Sequence, residues 1–257
     1  MPMKRAITLQ ALLEEQKEVD IPDAFILQNG KLLKVNMDAC GGQVLTKAGS
    51  MVAYQGQMTF SRKGAGAAKW IKKAVSGESF TLMEVTGTGD LFLADAANDI
   101  VLLYLQNEAI GVESLNLLAF TPSISWDIRM IKGGAGMMSG GLFNVNLEGT
   151  GYLALISKGE PVALTVTPDQ PTYSDPNATV AWSSNLEPSV HVDANLKGLK
   201  SIYGSMTSGE TFQLAFQGSG YVLVQPSEVQ PSTSMPGTSG GGGGGGAGGF
   251  LGGVLGG

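Results

Sequence analysis

One phrase recurs three times along this chain. Each copy begins with Ser-Gly, continues through alternating residues to a Gly-x-Gly triplet, and ends in a second alternating run. The copies begin at Ser76, Ser139 and Ser208, and their triplets begin at Gly87, Gly149 and Gly218. Recurrence at a near-constant interval indicates an internally duplicated fold.

The residues on both sides of each triplet alternate between two faces. In the third copy, Phe212, Leu214 and Phe216 share one face. A period of two predicts half-buried strands, and Gly-x-Gly supplies the positive φ that tight hairpins and bulges need. We therefore expect a strand pair joined at each triplet. A phosphate-binding glycine loop is the alternative, but it needs a helix after the glycines, where this chain shows a strand pattern.

A second phrase lies upstream of each copy. It consists of an aliphatic residue, an alanine and an aromatic residue, and it occurs as Val52-Ala53-Tyr54, Leu118-Ala119-Phe120 and Val180-Ala181-Trp182. Two phrases in register predict three tandem β repeats, at residues 23–95, 96–158 and 159–226. The three aromatic side chains belong either to the core of each repeat or to equivalent pockets between repeats.

Local patterns predict individual elements within the repeats. Asn29-Gly30 between apolar runs predicts a β-hairpin. The uninterrupted apolar run 100–105 predicts a strand buried on both sides. Several prolines between Pro161 and Pro176 predict short or edge strands in the third repeat.

Short helices are predicted between strands before the first and third Ser-Gly phrases. Helical spacing at 67–75 places Trp70 on an apolar face and Lys69, Lys72 and Lys73 outward. This basic helix has either an ordinary solvated face or a patch for anions or lipid headgroups. A second apolar helical face occurs at 196–203.

The two ends of the chain stand outside the repeats. Residues 1–22 form a predicted arm whose short helix carries three leucines on one face, and which either docks on the body or reaches a neighbouring subunit. Residues 227–257 form a glycine-rich tail that we expect to be flexible. The tail ends in an apolar tip, which is either a terminus without a role or a tethered contact for a partner protein. The tip residues are Phe250, Leu251, Val254 and Leu255.

Composition excludes several classes of function. The net charge of −6 argues against nucleic-acid binding, which needs a basic face. The single cysteine, Cys40, leaves no disulfide framework, and no secretory leader or membrane-spanning run is present, so we expect a cytoplasmic protein. With one histidine, His191, on a predicted strand, the chain lacks a zinc-ligand cluster and a nucleophile motif. We therefore expect no enzymatic activity, no metal and no cofactor.

These phrases together resemble a known family. Gly49-Ser50-Met51-Val52-Ala53-Tyr54, the repeated Ser-Gly phrase and the Gly-x-Gly triplets are similar to the altered inheritance of mitochondria family number twenty-four, over about residues 23–226. The resemblance implies three tandem β-sandwich units of the TRAP-like, short double-stranded β-helix type with pseudo-threefold symmetry. It also implies homotrimers, in which nine units complete a ring, and it supplies no catalytic residues. A bacterial origin is favoured over a mitochondrial one because no transit peptide is evident.

Three functions follow as hypotheses. The first is a non-enzymatic, homo-oligomeric scaffold that presents surfaces to itself or to partner proteins. The second is a small-ligand module with pockets between repeats near Tyr54, Phe120 and Trp182. The third is a peripheral membrane adaptor that uses the basic helix at 67–75.

Overall fold

The structure is a computed structural model that describes residues 6–62, 81–131, 143–191 and 213–227. These residues are mostly antiparallel β-strand, which confirms the all-β prediction. The described elements are α1 (Leu9–Glu15), β1 (Phe25–Asn29), β2 (Leu32–Asn36), β3 (Gln43–Lys47), β4 (Met51–Arg62), β5 (Leu82–Leu93), β6 (Asp99–Glu113), a 3-10 turn (Ser114–Asn116), β7 (Leu117–Phe120), β8 (Ile124–Met130), β9 (Phe143–Ser157), β10 (Val162–Val166), β11 (Thr172–Ser174), β12 (Thr179–Ser183), β13 (Ser189–His191), β14 (Gln213–Phe216) and β15 (Gly220–Val224).

The described strands form two sheets. The larger sheet has twelve strands, in the order β1-β2-β5-β3-β7-β9-β6-β12-β15-β10, with β4 paired to β5 and β8 paired to β9. The smaller sheet has the order β11-β14-β13. The Asn29-Gly30 hairpin between β1 and β2 is confirmed, and strands β10 to β13 are short, as the prolines predicted.

The Gly-x-Gly triplets are not hairpin turns, so that prediction was wrong. The triplets at Gly87 and Gly149 lie inside the continuous strands β5 and β9. Their conformation was predicted correctly, since φ is 141° at Gly87 and 100° at Gly89. The strand does not reverse there because β4 pairs with it on both sides of the triplet, and a Cβ on either glycine would overlap backbone of β4. The glycines permit a close approach between two long strands rather than a turn.

Each triplet separates two strand halves that have different neighbours. In the first strand set, β2 to β5, the half before the triplet pairs with β3, the half after it with β2, and β4 pairs with both. In the second strand set, β6 to β9, β8 pairs with the half before the triplet, β7 pairs with the half after it, and β6 pairs with both. In the third strand set, β10 to β15, two separate strands replace the long one. Of these, β14 pairs with β11 and β13, and β15 pairs with β10 and β12.

The core consists of three apolar clusters of buried side chains. The first is centred on strands β2 and β5, the second on β7 and β9, and the third on Trp182 and Phe216, whose rings lie 5.5 Å apart. The run 100–105 forms a strand as predicted, but it is not buried on both sides. Tyr104 is half exposed, and Val101, Leu102 and Leu103 are only partly buried.

The N-terminal arm contains a helix that does not dock on the described body. Thr8 caps α1 by accepting a hydrogen bond from the Ala11 amide, but no residue of α1 is buried. Of the two alternatives for the arm, docking of its leucine face on the described body is therefore not observed. The segment after α1 is held instead, because the Val19 backbone exchanges two hydrogen bonds with the Gln28 side chain.

A buried lysine anchors the same segment. Lys34 on β2 is 1% exposed, and its Nζ lies 3.1 Å from Asp20, 3.6 Å from Glu18 and 3.8 Å from Asp90. Burial works to lower the pKa of Lys34, but the hydrogen bond to Asp20 and the charges of Asp90 and Glu18 outweigh it and raise that pKa. The lysine therefore stays charged and ties the arm to the first strand set.

Candidate assembly surface

The first and second strand sets join through one strand pair, which we call the first seam. Strand β7 lies antiparallel to β3, with Phe120 opposite Leu45 and Ala119 opposite Thr46. All four side chains are buried. The aliphatic-Ala-aromatic phrase of β7 is buried because it contributes to both sides of this seam. Leu118 and Ala119 belong to the first apolar cluster, and Phe120 belongs to the second.

The second and third strand sets join in the same way, at the second seam. Strand β12 lies antiparallel to β6, with Trp182 opposite Gly111 and Ala181 opposite Val112. The ring of Trp182 rests directly on Gly111, because a Cβ there would lie 2.6 Å from Cε2 of the indole. A large ring therefore pairs with a residue that has no side chain, and Trp182 is 1% exposed as a result.

The first copy of the phrase, on β4, has no such partner among the described residues. Strand β4 pairs with β5 along one edge, and no described strand occupies its other edge. Val52 is 56% exposed and Tyr54 is 47% exposed, and Ala53 between them is also exposed. Their counterparts on β7 and β12 are buried. Strand β4 therefore carries the same phrase as the two seam strands, but in the single chain the side chains of that phrase are exposed to solvent.

In the third strand set, β11 also has one edge that no described strand occupies. It pairs with β14 and with no other described strand. Tyr173 at its centre is 46% exposed, and its ring lies 5.0 Å from that of His191. This strand could not be recognised from the sequence, because Thr172-Tyr173-Ser174 lies between prolines and matches neither repeated phrase. What identifies the strand is its register, because Ser174 lies opposite Leu214, four residues before the third triplet. That register is known only once the pairing of β11 with β14 is known.

The residues predicted to line equivalent pockets do not meet at one place. Tyr54 is on the open strand β4, Phe120 is in the second apolar cluster, and Trp182 is in the third. The predicted basic helix and the apolar tip of the tail fall outside the described residues. They comprise Lys69, Trp70, Lys72, Lys73, Phe250, Leu251, Val254 and Leu255.

A shallow cleft lies on a different part of the described surface. It has a volume of about 250 Å³ and is lined by Cys40, Tyr104 and Tyr152, together with residues of the turn after β7. Burial raises the pKa of the Cys40 thiol to about 12, so the thiol is protonated at neutral pH and is a poor nucleophile. The rings of Tyr104 and Tyr152 lie 4.9 Å apart, edge to face. The cleft can accommodate a small group beside these two rings.

One buried carboxyl lies near the second seam. The Oε2 atom of Glu113, at the end of β6, has no hydrogen-bond partner among the described residues, while Oε1 accepts a hydrogen bond from Ser114. Burial raises the pKa of Glu113 to about 7, against the lowering effect of its hydrogen bonds. The described ranges contain no group of three or more His, Cys, Asp or Glu side chains that could hold a metal ion. Within the same ranges, no helix is long and apolar enough to cross a bilayer.

Comparisons with known proteins agree with the fold. A crystal structure of protein SPYM3_0169 from Streptococcus pyogenes is similar to this chain, with a TM-score of 0.59 and 25% sequence identity. The similarity covers 78% of this chain and 91% of the streptococcal one. No curated protein sequence matches. The profile of the family described as "Mitochondrial biogenesis AIM24" matches residues 25–227. The chain therefore belongs to the AIM24 family.

Proposed function

We propose that this protein is a non-enzymatic scaffold that assembles with copies of itself and presents surfaces to partner proteins. The observation that carries the proposal is the open strand β4. Its aliphatic-Ala-aromatic phrase is buried wherever a neighbouring strand set is present, and it is exposed where none is. Burying one large apolar side chain contributes about 1.5–3 kcal/mol. Covering the exposed side chains of Val52 and Tyr54 would therefore contribute favourably to the free energy of association.

The proposal includes a finer description of the fold. We infer three tandem TRAP-like β units, related by pseudo-threefold symmetry, at about residues 23–95, 96–158 and 159–226. Two features support this description. The pairing around each Gly-x-Gly triplet follows one scheme in the three strand sets, and both seams join a β7-type strand to the preceding set. A homotrimer of such chains is the assembly that we propose.

Light scattering on the purified full-length chain tests the proposal. We expect the wild-type chain to have the mass of a trimer or a larger assembly. The double variant Val52→Glu/Tyr54→Glu places two charges on the open strand, and we expect it to have the mass of one chain. The matched control is Val162→Glu/Leu164→Glu on β10, the terminal strand of the same sheet. Its two side chains are 59% and 37% exposed, and we expect the control variant to keep the wild-type mass.

Two outcomes would refute the proposal. A wild-type chain that stays monomeric at high micromolar concentration would show that the open strand does not mediate assembly. Loss of mass in the β10 variant, with no loss in the β4 variant, would show that a different surface is used. Far-UV circular dichroism of each variant checks that the fold is retained, because unfolding would also change the measured mass.

The C-terminal tail belongs to the partner-binding part of the proposal. If its apolar tip contacts other proteins rather than holding the assembly together, truncation after Pro226 leaves the oligomeric mass unchanged. A truncated chain that becomes monomeric would instead place the tail within the self-assembly interface. The tail is therefore tested separately from β4.

A further inference from the structure

We propose that the strand covering β4 is β11 of a second copy of this chain. The two strands pair antiparallel, with Tyr54 opposite Tyr173 and Ala53 opposite Ser174. This inference rests on the proposed self-assembly and specifies which segments meet. It makes the contact head-to-tail, because each copy offers β4 of its first strand set to one neighbour and β11 of its third strand set to the other.

The register follows from the two seams within the chain. We call β3, β6 and β11 the receiving strands, because a phrase-bearing strand pairs with β3 and β6 and is proposed to pair with β11. One residue on each receiving strand lies opposite the residue that precedes the triplet by four positions. These pairs are Thr46 with Met83, Val112 with Val145, and Ser174 with Leu214. These three receiving positions are therefore equivalent. At the first seam Thr46 faces Ala119, and at the second seam Val112 faces Ala181. Applying the same rule to Ser174 selects the alanine of the remaining phrase, Ala53.

The next position along the receiving strands gives the aromatic pair. Leu45 faces Phe120 at the first seam, and Gly111 faces Trp182 at the second. The equivalent residue on β11 is Tyr173, and the remaining aromatic residue of the phrase is Tyr54. Each tyrosine is nearly half exposed in the single chain. Opposite aromatic residues on antiparallel strands stabilise each other, so the pair buries both rings and adds a ring contact.

Strand β4 already has the local shape of a seam strand. The pairing of β7 with β9 and of β12 with β15 is interrupted by one bulged residue, Leu118 and Val180 respectively. The same interruption occurs in β4, at Val52. A bulge changes the bend of a strand and the direction of its neighbouring side chains. The open strand therefore has the seam conformation before any partner binds, which reduces the ordering cost of binding.

The receiving strand β11 is long enough for the contact. It is three residues long and lies between Pro171 and Pro176, and the two internal seams contain two and three paired positions. The prolines limit how far another strand can extend along it, since proline lacks the backbone donor. The short edge therefore favours one register over a sliding contact. A head-to-tail contact closes into a ring when the rotation between copies allows it.

Disulfide trapping between two different variants tests this register. Each variant carries Cys40→Ser, and one adds Tyr54→Cys while the other adds Tyr173→Cys. The two proteins are mixed, oxidised with diamide and analysed on non-reducing gels. Directly opposite residues have Cα atoms about 4.5–5.5 Å apart, which a disulfide can bridge. We expect a two-chain product in the mixture and little product in either protein alone.

An off-register pair serves as the matched control. Mixing the Tyr54→Cys protein with an Asp175→Cys protein moves the second thiol two residues along the receiving strand. The diagonal separation of about 7–8 Å is too long for an unstrained disulfide, so we expect little product. If removing both tyrosines weakens assembly, the pair Ala53→Cys and Ser174→Cys tests the same register with both rings kept.

The possible results distinguish failure of the register from failure of self-assembly. A two-chain product from Tyr54→Cys alone would overturn the inference in favour of a symmetric β4–β4 contact. Preferential linkage to Asp175→Cys would overturn the register. Oligomers by light scattering with no cross-link from either matched pair would exclude β11 as the occupant while leaving the scaffold proposal intact. Monomers throughout would overturn both proposals.

Discussion

Replacing Gly111 with alanine tests the packing at the second seam. The φ of Gly111 is not positive, so the backbone there accepts an alanine without strain. The added Cβ would lie 2.6 Å from Cε2 and 3.0 Å from Cδ1 of Trp182, and would overlap its Nε1 more closely still. The ring is 1% exposed, so the neighbouring side chains limit how far it can move away. Overpacking of this kind costs about 1–3 kcal/mol.

A double-mutant cycle isolates that steric contact. Trp182→Phe removes the part of the ring that meets Gly111, and alone it leaves a cavity that costs about 1–2 kcal/mol. In the presence of Trp182→Phe, Gly111→Ala should cost much less, with a coupling energy of about 1–2 kcal/mol. At the first seam the equivalent pair is Leu45 and Phe120, so a phenylalanine opposite a side chain already occurs in this fold.

Urea and thermal unfolding followed by far-UV circular dichroism measure these effects at one protein concentration. For a chain of this size, each kcal/mol corresponds to a shift of about 2–4 °C in the midpoint. The control is Gly30→Ala, where a Cβ would have its nearest neighbour at 4.0 Å, and we expect a change below about 0.5 kcal/mol. The reasoning is refuted if Gly111→Ala is as mild as the control, or if the two substitutions are simply additive.

Three further predictions concern other buried groups. The pKa of Glu113 is raised by burial to about 7, so the stability of the wild-type chain relative to Glu113→Gln falls as pH rises from about 4.5 to 7. Glu113→Gln should be more stable by about 1–3 kcal/mol at pH 8 and equal at pH 4. Equal stability at both pH values would contradict this assignment. Asp20→Ala removes the nearest partner of Lys34, and because Asp20 is largely exposed we expect a cost of only about 1 kcal/mol in thermal unfolding. Because the pKa of Lys34 is raised, the stabilisation by its ion pair with Asp20 is present below about pH 10.4 and disappears as pH rises through the pKa of the folded state. A cost of Asp20→Ala that persists at higher pH would contradict this reasoning. Gly89→Ala places a Cβ against the backbone of β4 at a φ of 100°, so it should cost more than Gly41→Ala, where φ is 69° and the space is open. The difference should be about 1 kcal/mol or more in urea unfolding, and equal costs would refute the close approach of the two strands.

The sequence was sufficient to predict the strand content and the local conformation of the triplets. Alternation with a period of two depends only on which residues face a sheet, and positive φ at glycine depends only on the missing Cβ. Both are local properties, and both were predicted correctly. Whether Gly87-Thr88-Gly89 reverses the chain depends instead on β4, which continues past the triplet and keeps β5 extended. That information lies in pairing between distant segments.

The candidate surface was also predicted only in part. The three aliphatic-Ala-aromatic phrases could be read from the sequence, because the residue types repeat. Their environments could not, because Phe120 and Trp182 are buried by strands of the preceding set, whereas no described strand covers Tyr54. Three strands with similar sequences thus differ in exposure because of the strands that pair with them, not because of their own residues. The sequence by itself determined that β4 resembles a seam strand, and the tertiary structure alone decided that its seam is open.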